Sequence, residues 1–534
     1  MIREVLDASL RGALDKVGVE PPAEVTLERP ARREHGDWST NVALATAKAA
    51  GRNPRELAGQ LAEVLDADPP AHVERVEVAG PGFVNFHLAP TWLHEVLREV
   101  VTGGEQGYAR PDVGHSTSVN VEFVSPNPTG PVHAGHGRHA AYGDSLARLL
   151  ERSGYEVQRE CYLNDRGVQM QHYAASLAAR KAGRPVPEDG YRGEYIAEWA
   201  AEMPDDADPL VWGEERALAD QREVLERMNV RFDTWFSERS LVDRGAIEAT
   251  LDDLRRRSVV YDHEGAVWLR SSDYGDDKDR VLVKSDGEPT YLLPDVAYHR
   301  DKLARGADLL INVLGADHHG YETRMGAALQ ALGHEPTVLE VPMVQMVSLQ
   351  RGGTPVRLSK RTGDIVELRE VIDEVGPDAA RLTFLLQSTT SQQTFDLEVV
   401  ASQAMENPVF YIQMAHARIA GIVRVAGERG VERQPLTAVD LGLLTHEREL
   451  DVLRQLSELP ETIVVACTDR APHRITTWVH DFAGAFHGFY HDCYVIHPEV
   501  PADLAQARLW LVEAARVGLA IGLGLLGVSA PESM

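Results

Sequence analysis

The sequence predicts an α/β protein in three parts: a Rossmann-like parallel-sheet domain with an insertion, a small α+β domain before it, and an all-α domain after it. Three observations carry this. Residues 117 to 162 read as strand, loop, helix, strand. Strand signals return after a long charged and helical stretch. From about residue 400 the periodicity is helical. The expected bounds are 1–110, 111–400 with the insertion at about 165–280, and 401–534. A chain of 534 residues has room for them.

Helical periodicity runs through Ile2 to Leu6 and through Asn41 to Ala50. Asn53-Pro54 predicts a helix start, with Asn as cap and Pro in the first turn. Val73 to Ala79 alternates as a strand would, Gly80-Pro81-Gly82 interrupts it, and Phe83 to Phe86 resumes. Thr102-Gly103-Gly104 and Gly107 read as a linker. Next, Val119, Val121 and Phe123 alternate with Asn120 and Glu122. Three prolines and a glycine in Ser125 to Pro131 exclude both helix and strand. A helix then runs from Gly135 to Ser153, and Tyr155 to Tyr162 is strand-like, completing a βαβ unit. Strands are expected again at Leu282-Val283, Leu309 to Leu314 and Val338 to Leu349. Ile412, Ala415, Ile419, Ile422 and Val423 share one helical face.

Composition narrows the class. Met1 to Glu20 has no continuous apolar core and is not a signal peptide. The apolar run Val517 to Ala530 is shorter than the roughly 20 residues a bilayer asks for, so a buried terminal helix is expected and no membrane partner. Cys161, Cys467 and Cys493 are widely separated, with no disulfide framework and no metal-binding pair, which fits a reducing cytoplasm. A net charge of −28 argues against a general nucleic-acid coat, but leaves room for a basic face on a nucleic-acid-binding enzyme.

The chemistry gathers on the loop of the βαβ unit, at the strand edge where open α/β sheets bind ligands. The following helix offers unpaired N–H groups to an anion. His133 and His136 are three apart and can donate to phosphate oxygens from its first turn. Gly135 lets a flat ring approach the backbone. Taken alone, the pair is equally a surface or metal-binding pair, although no third ligand stands nearby.

The tetrapeptide His133-Ala134-Gly135-His136 resembles the first signature of class I aminoacyl-tRNA synthetases, with Ala134 for the usual isoleucine. Arg357-Leu358-Ser359-Lys360-Arg361, after Gly352-Gly353, is similar to that class's second signature; Ser359 and Lys360 match, while Arg357 and Leu358 depart. Essentially the whole chain resembles arginyl-tRNA synthetases of bacterial type. The segments that carry this are Val121 to Pro131, Gly315 to Gly320, Asn407 to Gln413, Asp378-Ala379-Ala380-Arg381, and Gly36-Asp37-Trp38 with Asn41-Val42-Ala43.

The resemblance implies the roles. His133, His136 and Lys360 would be catalytic, stabilising phosphate charge. Pro126, Asn127, Gly135, His136, His318, Ser359, Lys360 and Arg361 would bind ATP. Glu122, Asn127, Tyr291 and Asp295 would bind arginine. A guanidinium asks for a carboxylate in bidentate geometry, which suits Asp295. The alternative for Asp295 is a helix cap after Pro294; for Tyr291, an ordinary core or surface side chain; for Glu122, an exposed strand residue. A metal site is the rival for His318, with Asp317 beside it. The expected reaction joins L-arginine to its tRNA through an arginyl-adenylate, and tRNA must bind before activation. ATP with Mg²⁺ enters as substrate, no cofactor is tightly bound, no resident metal is held, and the chain is a cytoplasmic monomer. The C-terminal helices would grip the anticodon stem-loop and the N-terminal unit the tRNA elbow. Two rivals stand beside this: a class I synthetase for another amino acid, such as a cysteinyl enzyme, and an inactive tRNA-binding paralogue.

Overall fold

The computed structural model describes residues 2–30, 32–318, 320–356, 366–402 and 404–533. The first elements are α1 (Ile2–Lys16), β1 (Leu27–Glu28), β2 (Trp38–Thr40), α2 (Val42–Ala50), α3 (Pro54–Ala67), β3 (Val73–Ala79) and β4 (Phe83–Leu88). The strands form an antiparallel sheet in the order β1-β2-β4-β3. Asn53 caps α3 as expected, its side chain accepting from the N–H groups of Arg55 and Glu56. Leu57, Leu61 and Leu65 then bury one face of that helix.

The glycine cluster expected to be a linker falls where two helices meet. It closes α4 (Thr91–Gly107), which kinks at Gly104 (φ 56°, ψ −165°). The kink uses a conformation that glycine alone adopts cheaply, and it breaks the helix at that residue.

The catalytic sheet begins with β5 (Ser118–Glu122), α5 (Gly135–Arg152) and β6 (Glu156–Leu163), the predicted βαβ unit. Gly143 lets α5 lie flat on β5: a methyl group there would stand 2.2 Å from the Phe123 ring. The expected insertion holds α6 (Val168–Lys181), α7 (Glu194–Glu202), α8 (Pro209–Arg227), β7 (Thr234–Ser237), α9 (Arg239–Asp243), α10 (Ala246–Arg256) and the antiparallel strands β8 (Val260–His263), β9 (Ala266–Leu269) and β10 (Arg280–Val283). It does not stand wholly apart from the sheet, because β7 pairs parallel with β6. Four residues among charged helices leave too short a period to signal a strand.

The chain then returns through α11 (Leu292–Ala304) and β11 (Leu309–Asn312) to the other side of β5. After β12 (Leu314–Gly315) and α12 (Tyr321–Ala331), the expected strand at 338–349 is broken into β13 (Leu339–Glu340), β14 (Met343–Val344) and β15 (Val347–Arg351). Pro342, which has no N–H to give a ladder, falls at the first break. β16 (Thr354–Pro355), α13 (Leu368–Val375), α14 (Pro377–Leu385), β17 (Gln393–Asp396) and α15 (Leu397–Ala401) follow. The five-stranded sheet is parallel throughout, in the order β13-β11-β5-β6-β7.

The last region is helical: α16 (Pro408–Glu428), α17 (Glu447–Thr468), α18 (His473–Asp492) and α19 (Ala502–Leu526). Ile412, Ala415 and Ile419 are buried as predicted, but Val423 is exposed and Ala426 continues the stripe. The C-terminal apolar run belongs to a helix long enough to cross a membrane by length and composition, yet 72% of its apolar window is buried inside the protein.

The chain packs into two compact units. One comprises Met1–Gly104, Ile422–Ser457 and Ala485–Val517; the other comprises Glu105–Gly421, Glu458–Gly484 and Gly518–Met534. In the second, Arg381 is 1% exposed. Its guanidinium donates to the carbonyls of Leu526 and Met228 and to the Asp144 carboxylate. Nearby, Asp378 accepts from the Ser529 N–H at 3.1 Å and from Gln413 at 2.9 Å.

Candidate active site

β6 and β7 extend the sheet from one side of β5, and β11 and β13 from the other, so the strand order reverses between β5 and β11. Open α/β sheets bind ligands beyond the carboxyl ends of strands at such a point. A cavity of about 550 Å³ lies there. Glu122, Val124 and Ser125 leave β5 into it, and Val313 to Gly315 leave β11. Val124 has φ 68° and Ser125 φ 40°, a left-handed turn that costs a β-branched residue dearly. The turn aims Ser125 back at the sheet end: its hydroxyl donates to Glu122 at 3.1 Å and accepts from the Tyr162 N–H at 3.1 Å.

The two signature histidines meet in this cavity. His133 lies before α5 rather than in its first turn, in a backbone bridge to Glu367. The rings nevertheless stack, with centroids 3.7 Å apart. Gly135 permits it, because a methyl group there would be 2.9 Å from His133 Nδ1. Ala134 is buried, which is where its departure from the signature is felt. Leu368 donates its N–H to the Val132 carbonyl at 2.8 Å, so the residues just after 357–365 are tied to the histidine loop.

Of the other expected residues, Gly135, Glu122, Asp295 and His318 line the same cavity. Three do not. Pro126 is buried and Asn127 is exposed, its amide donating to Gln169 at 3.2 Å. Tyr291 is 95% exposed at the head of α11, its ring in solvent. Ser359, Lys360 and Arg361, with Arg357 and Leu358, lie outside the described residues, as does His319.

Asp295 sits in the first turn of α11, facing the cavity rather than serving only as a cap. Burial first, and the nearby Glu122 second, push its carboxyl up to about 7. Glu122 is differently placed. It accepts from the ammonium of Lys302 at 2.5 Å, and both side chains are buried.

Residues 98–186 and 210–423 match the model of the class I (R) tRNA synthetase catalytic domain. Residues 4–88 match the arginyl tRNA synthetase N-terminal domain, and 412–534 the DALR anticodon binding domain. The chain belongs to the arginyl-tRNA synthetase family. The arginine–tRNA ligase of Frankia alni is 48% identical over 532 residues, covering 97% of this chain and 96% of that protein. The arginine–tRNA ligase of Bacillus subtilis is 42% identical, covering 100% and 99%. The fold is similar to that of Thermus thermophilus arginyl-tRNA synthetase, with a TM-score of 0.78, 23% identity and full coverage of both chains.

Within this arginyl-tRNA synthetase fold, sequence reasoning missed several cavity residues. His139 lines it and is held neutral, lowered to about 4 by burial and then by Arg138. Arg138 is buried and donates to the carbonyls of Gln345, Ser388 and Ser391 at 2.7–3.0 Å, which fixes the wall carrying Gln345 and Met346. Both follow the signature on α5 at helical spacing, a signal that was available. Lys302, seven residues after Asp295 on the same face of α11, does not line the cavity but reaches Glu122, which does.

Proposed function

We propose that His133, His136 and Lys360 stabilise phosphate charge while Glu122 and Asp295 hold the two ends of arginine, in the enzyme's ligation of arginine to its tRNA. The observation that carries this is one cavity lined by both the stacked histidines and the two carboxylates. ATP lies with its phosphates toward Gly135 and the first N–H groups of α5, where a helix terminus favours an anion. Mg²⁺ enters with ATP, on the phosphates. The arginine carboxylate attacks the α-phosphorus, the α–β bridging bond breaks, and pyrophosphate leaves with its electron pair. The 2′-hydroxyl of the terminal adenosine then attacks the arginyl carbonyl, and AMP leaves. Positioning and fixed charge are sufficient; no histidine has to act as a base.

Asp295 is the specificity group. A buried carboxylate rejects a neutral isostere because it is then left unpaired. His318, Ser359 and Arg361 complete the ATP side; Pro126 and Asn127, off the cavity wall here, reach ATP, and Asn127 and Tyr291 reach arginine, only as the site closes on substrate. The organisation follows the three expected parts, 1–110, 111–400 and 401–534. The matched family models support this, with the first part on the tRNA elbow and the last on the anticodon stem-loop. The enzyme works in the cytoplasm as a monomer, without a tightly bound cofactor.

The test is arginine-dependent ATP–pyrophosphate exchange in the presence of tRNA. Lys360→Ala is expected to lose about 2–4 kcal/mol of transition-state stabilisation. Citrulline should be activated poorly, and activation equal to that of arginine would overturn the role of Asp295.

A further inference from the structure

Beneath the cavity floor, the carboxylates of Glu122 and the backbone of Asp295 are joined by three buried polar side chains. Lys302, His299 and Asn312 are 1%, 0% and 1% exposed. Lys302 Nζ donates to Glu122 at 2.5 Å and to Asn312 Oδ1 at 3.0 Å. It also stands 4.4 Å from the centre of the Tyr298 ring, a further contact for a cation out of water. The Asn312 amide Nδ2 meets His299 Nε2 at 2.6 Å, and His299 Nδ1 meets the Asp295 carbonyl at 2.8 Å.

The donors run outward from Lys302, to Glu122 on one side and through Asn312 and His299 to the Asp295 carbonyl on the other. A carbonyl only accepts, so His299 carries its proton on Nδ1 and leaves Nε2 bare to accept from Asn312. Burial and the adjacent Lys302 lower the imidazole to about 3, which keeps it neutral and the direction fixed. Every link is satisfied, and a fully satisfied buried network is rigid.

Asp295, His299 and Lys302 fall at spacings of four and seven on one face of α11. Two helical turns, about 10 Å, separate the first from the last. Asn312 ends β11 beside Glu122, with which it pairs in register. Apolar side chains would fill this space at lower cost than a buried ammonium, since replacing a buried ion pair by packed hydrophobes is often neutral or stabilising. The polar chain runs between the two groups that face the substrate.

We propose that Lys302, Asn312 and His299 are positioning residues that act as a buried ruler, fixing the separation of Glu122 and Asp295 and so the side-chain length the enzyme accepts. This rests on the reading that these two carboxylates hold the two ends of arginine. None of the three touches substrate; they act through the Glu122 carboxylate at one end and the Asp295 backbone at the other.

The experiment compares arginine with homoarginine, one methylene longer, in ATP–pyrophosphate exchange with tRNA present. The readout is the ratio of kcat/KM for the two amino acids, which does not depend on the fraction of active protein. His299→Leu removes the two links at the Asp295 end of the chain. It is expected to raise KM for arginine about tenfold, to leave KM for ATP within about twofold, and to lower the arginine preference about fivefold or more; one methylene is worth about 10- to 200-fold in a tight pocket. His299→Gln, which can donate and accept, should restore the preference to within about twofold. If His299→Leu does not fold, Asn312→Ser shortens the chain without adding volume, under the same expectation. An unchanged preference, or KM for arginine and ATP rising together, overturns the ruler. Asp295→Asn separates the two failures. If it leaves KM for arginine unchanged, the reading beneath the ruler is overturned. If it raises that KM while His299→Leu leaves the preference intact, the ruler alone is overturned.

Discussion

The backbone N–H of Ala134 donates to the Val366 carbonyl at 3.0 Å. One residue is inside the histidine signature and the other immediately follows the segment that carries Lys360. The histidine loop and Val366 are therefore stitched backbone to backbone. Ala134 has φ −53°, which a proline can adopt, so Ala134→Pro removes the donor with little strain at that residue. About a tenfold loss in kcat for arginine-dependent exchange is expected, with the melting temperature shifted by only a few degrees. Undiminished exchange would show that this stitch does not set the site.

Asp295 gives arginine binding a pH dependence. Its carboxyl is raised to about 7 in the empty cavity, against the usual 3.8. A guanidinium needs the ionised form, so affinity should be full above pH 8 and fall about tenfold per unit well below pH 7. Folding of the empty enzyme responds in the opposite sense. The raised value contributes stability that is present below 3.8 and lost as pH rises through about 7. Calorimetry near pH 7 in buffers of different ionisation enthalpy should detect a proton released on arginine binding. Asp295→Asn should abolish both the release and the slope.

Arg381 holds the buried end of the D-A-A-R element. Removing one partner of a buried ion pair costs about 3–5 kcal/mol. Arg381→Met and Asp144→Ala should each destabilise the protein by about that amount in urea unfolding, and the double variant by clearly less than their sum. Additive losses would mean that the pair does not couple.

Val124 stores backbone strain at the exit of β5. Val124→Gly relieves a left-handed β-branched residue but gives up a buried side chain, so the two effects offset and stability should change by less than about 1 kcal/mol. The same freedom lets Ser125 drift from Glu122, so KM for arginine should rise several-fold while KM for ATP holds. An unchanged KM for arginine would contradict this account.

What could be read without coordinates follows the range of each signal. The βαβ unit, the Asn53 cap and the glycine between the histidines depend on near neighbours, and they stand where periodicity and turn chemistry put them. Lys302 did not announce itself, because a lysine two turns after an aspartate on a helix usually belongs to a solvated face. Its burial comes from β5 and β11, far away in sequence. The reach of β7 into the sheet and the resumption of helix after the break at Gly104 are tertiary outcomes, with four residues and one residue respectively to signal them. Gathering Glu122, His133 and Asp295 around one cavity took the sheet order, which no local pattern encodes.

Arg381 also bears on synthesis. Its partners include the carbonyl of Leu526, and both compact units draw on residues beyond 484. A ribosome releases the chain from the N-terminus, so neither unit can close its core until nearly the whole polypeptide has emerged. Arg381 can meet Asp144 and Met228 early, but it gains its Leu526 acceptor only when that stretch has been made. A nascent chain of this enzyme is thus exposed to chaperones and proteases until the residues beyond 484 have been made.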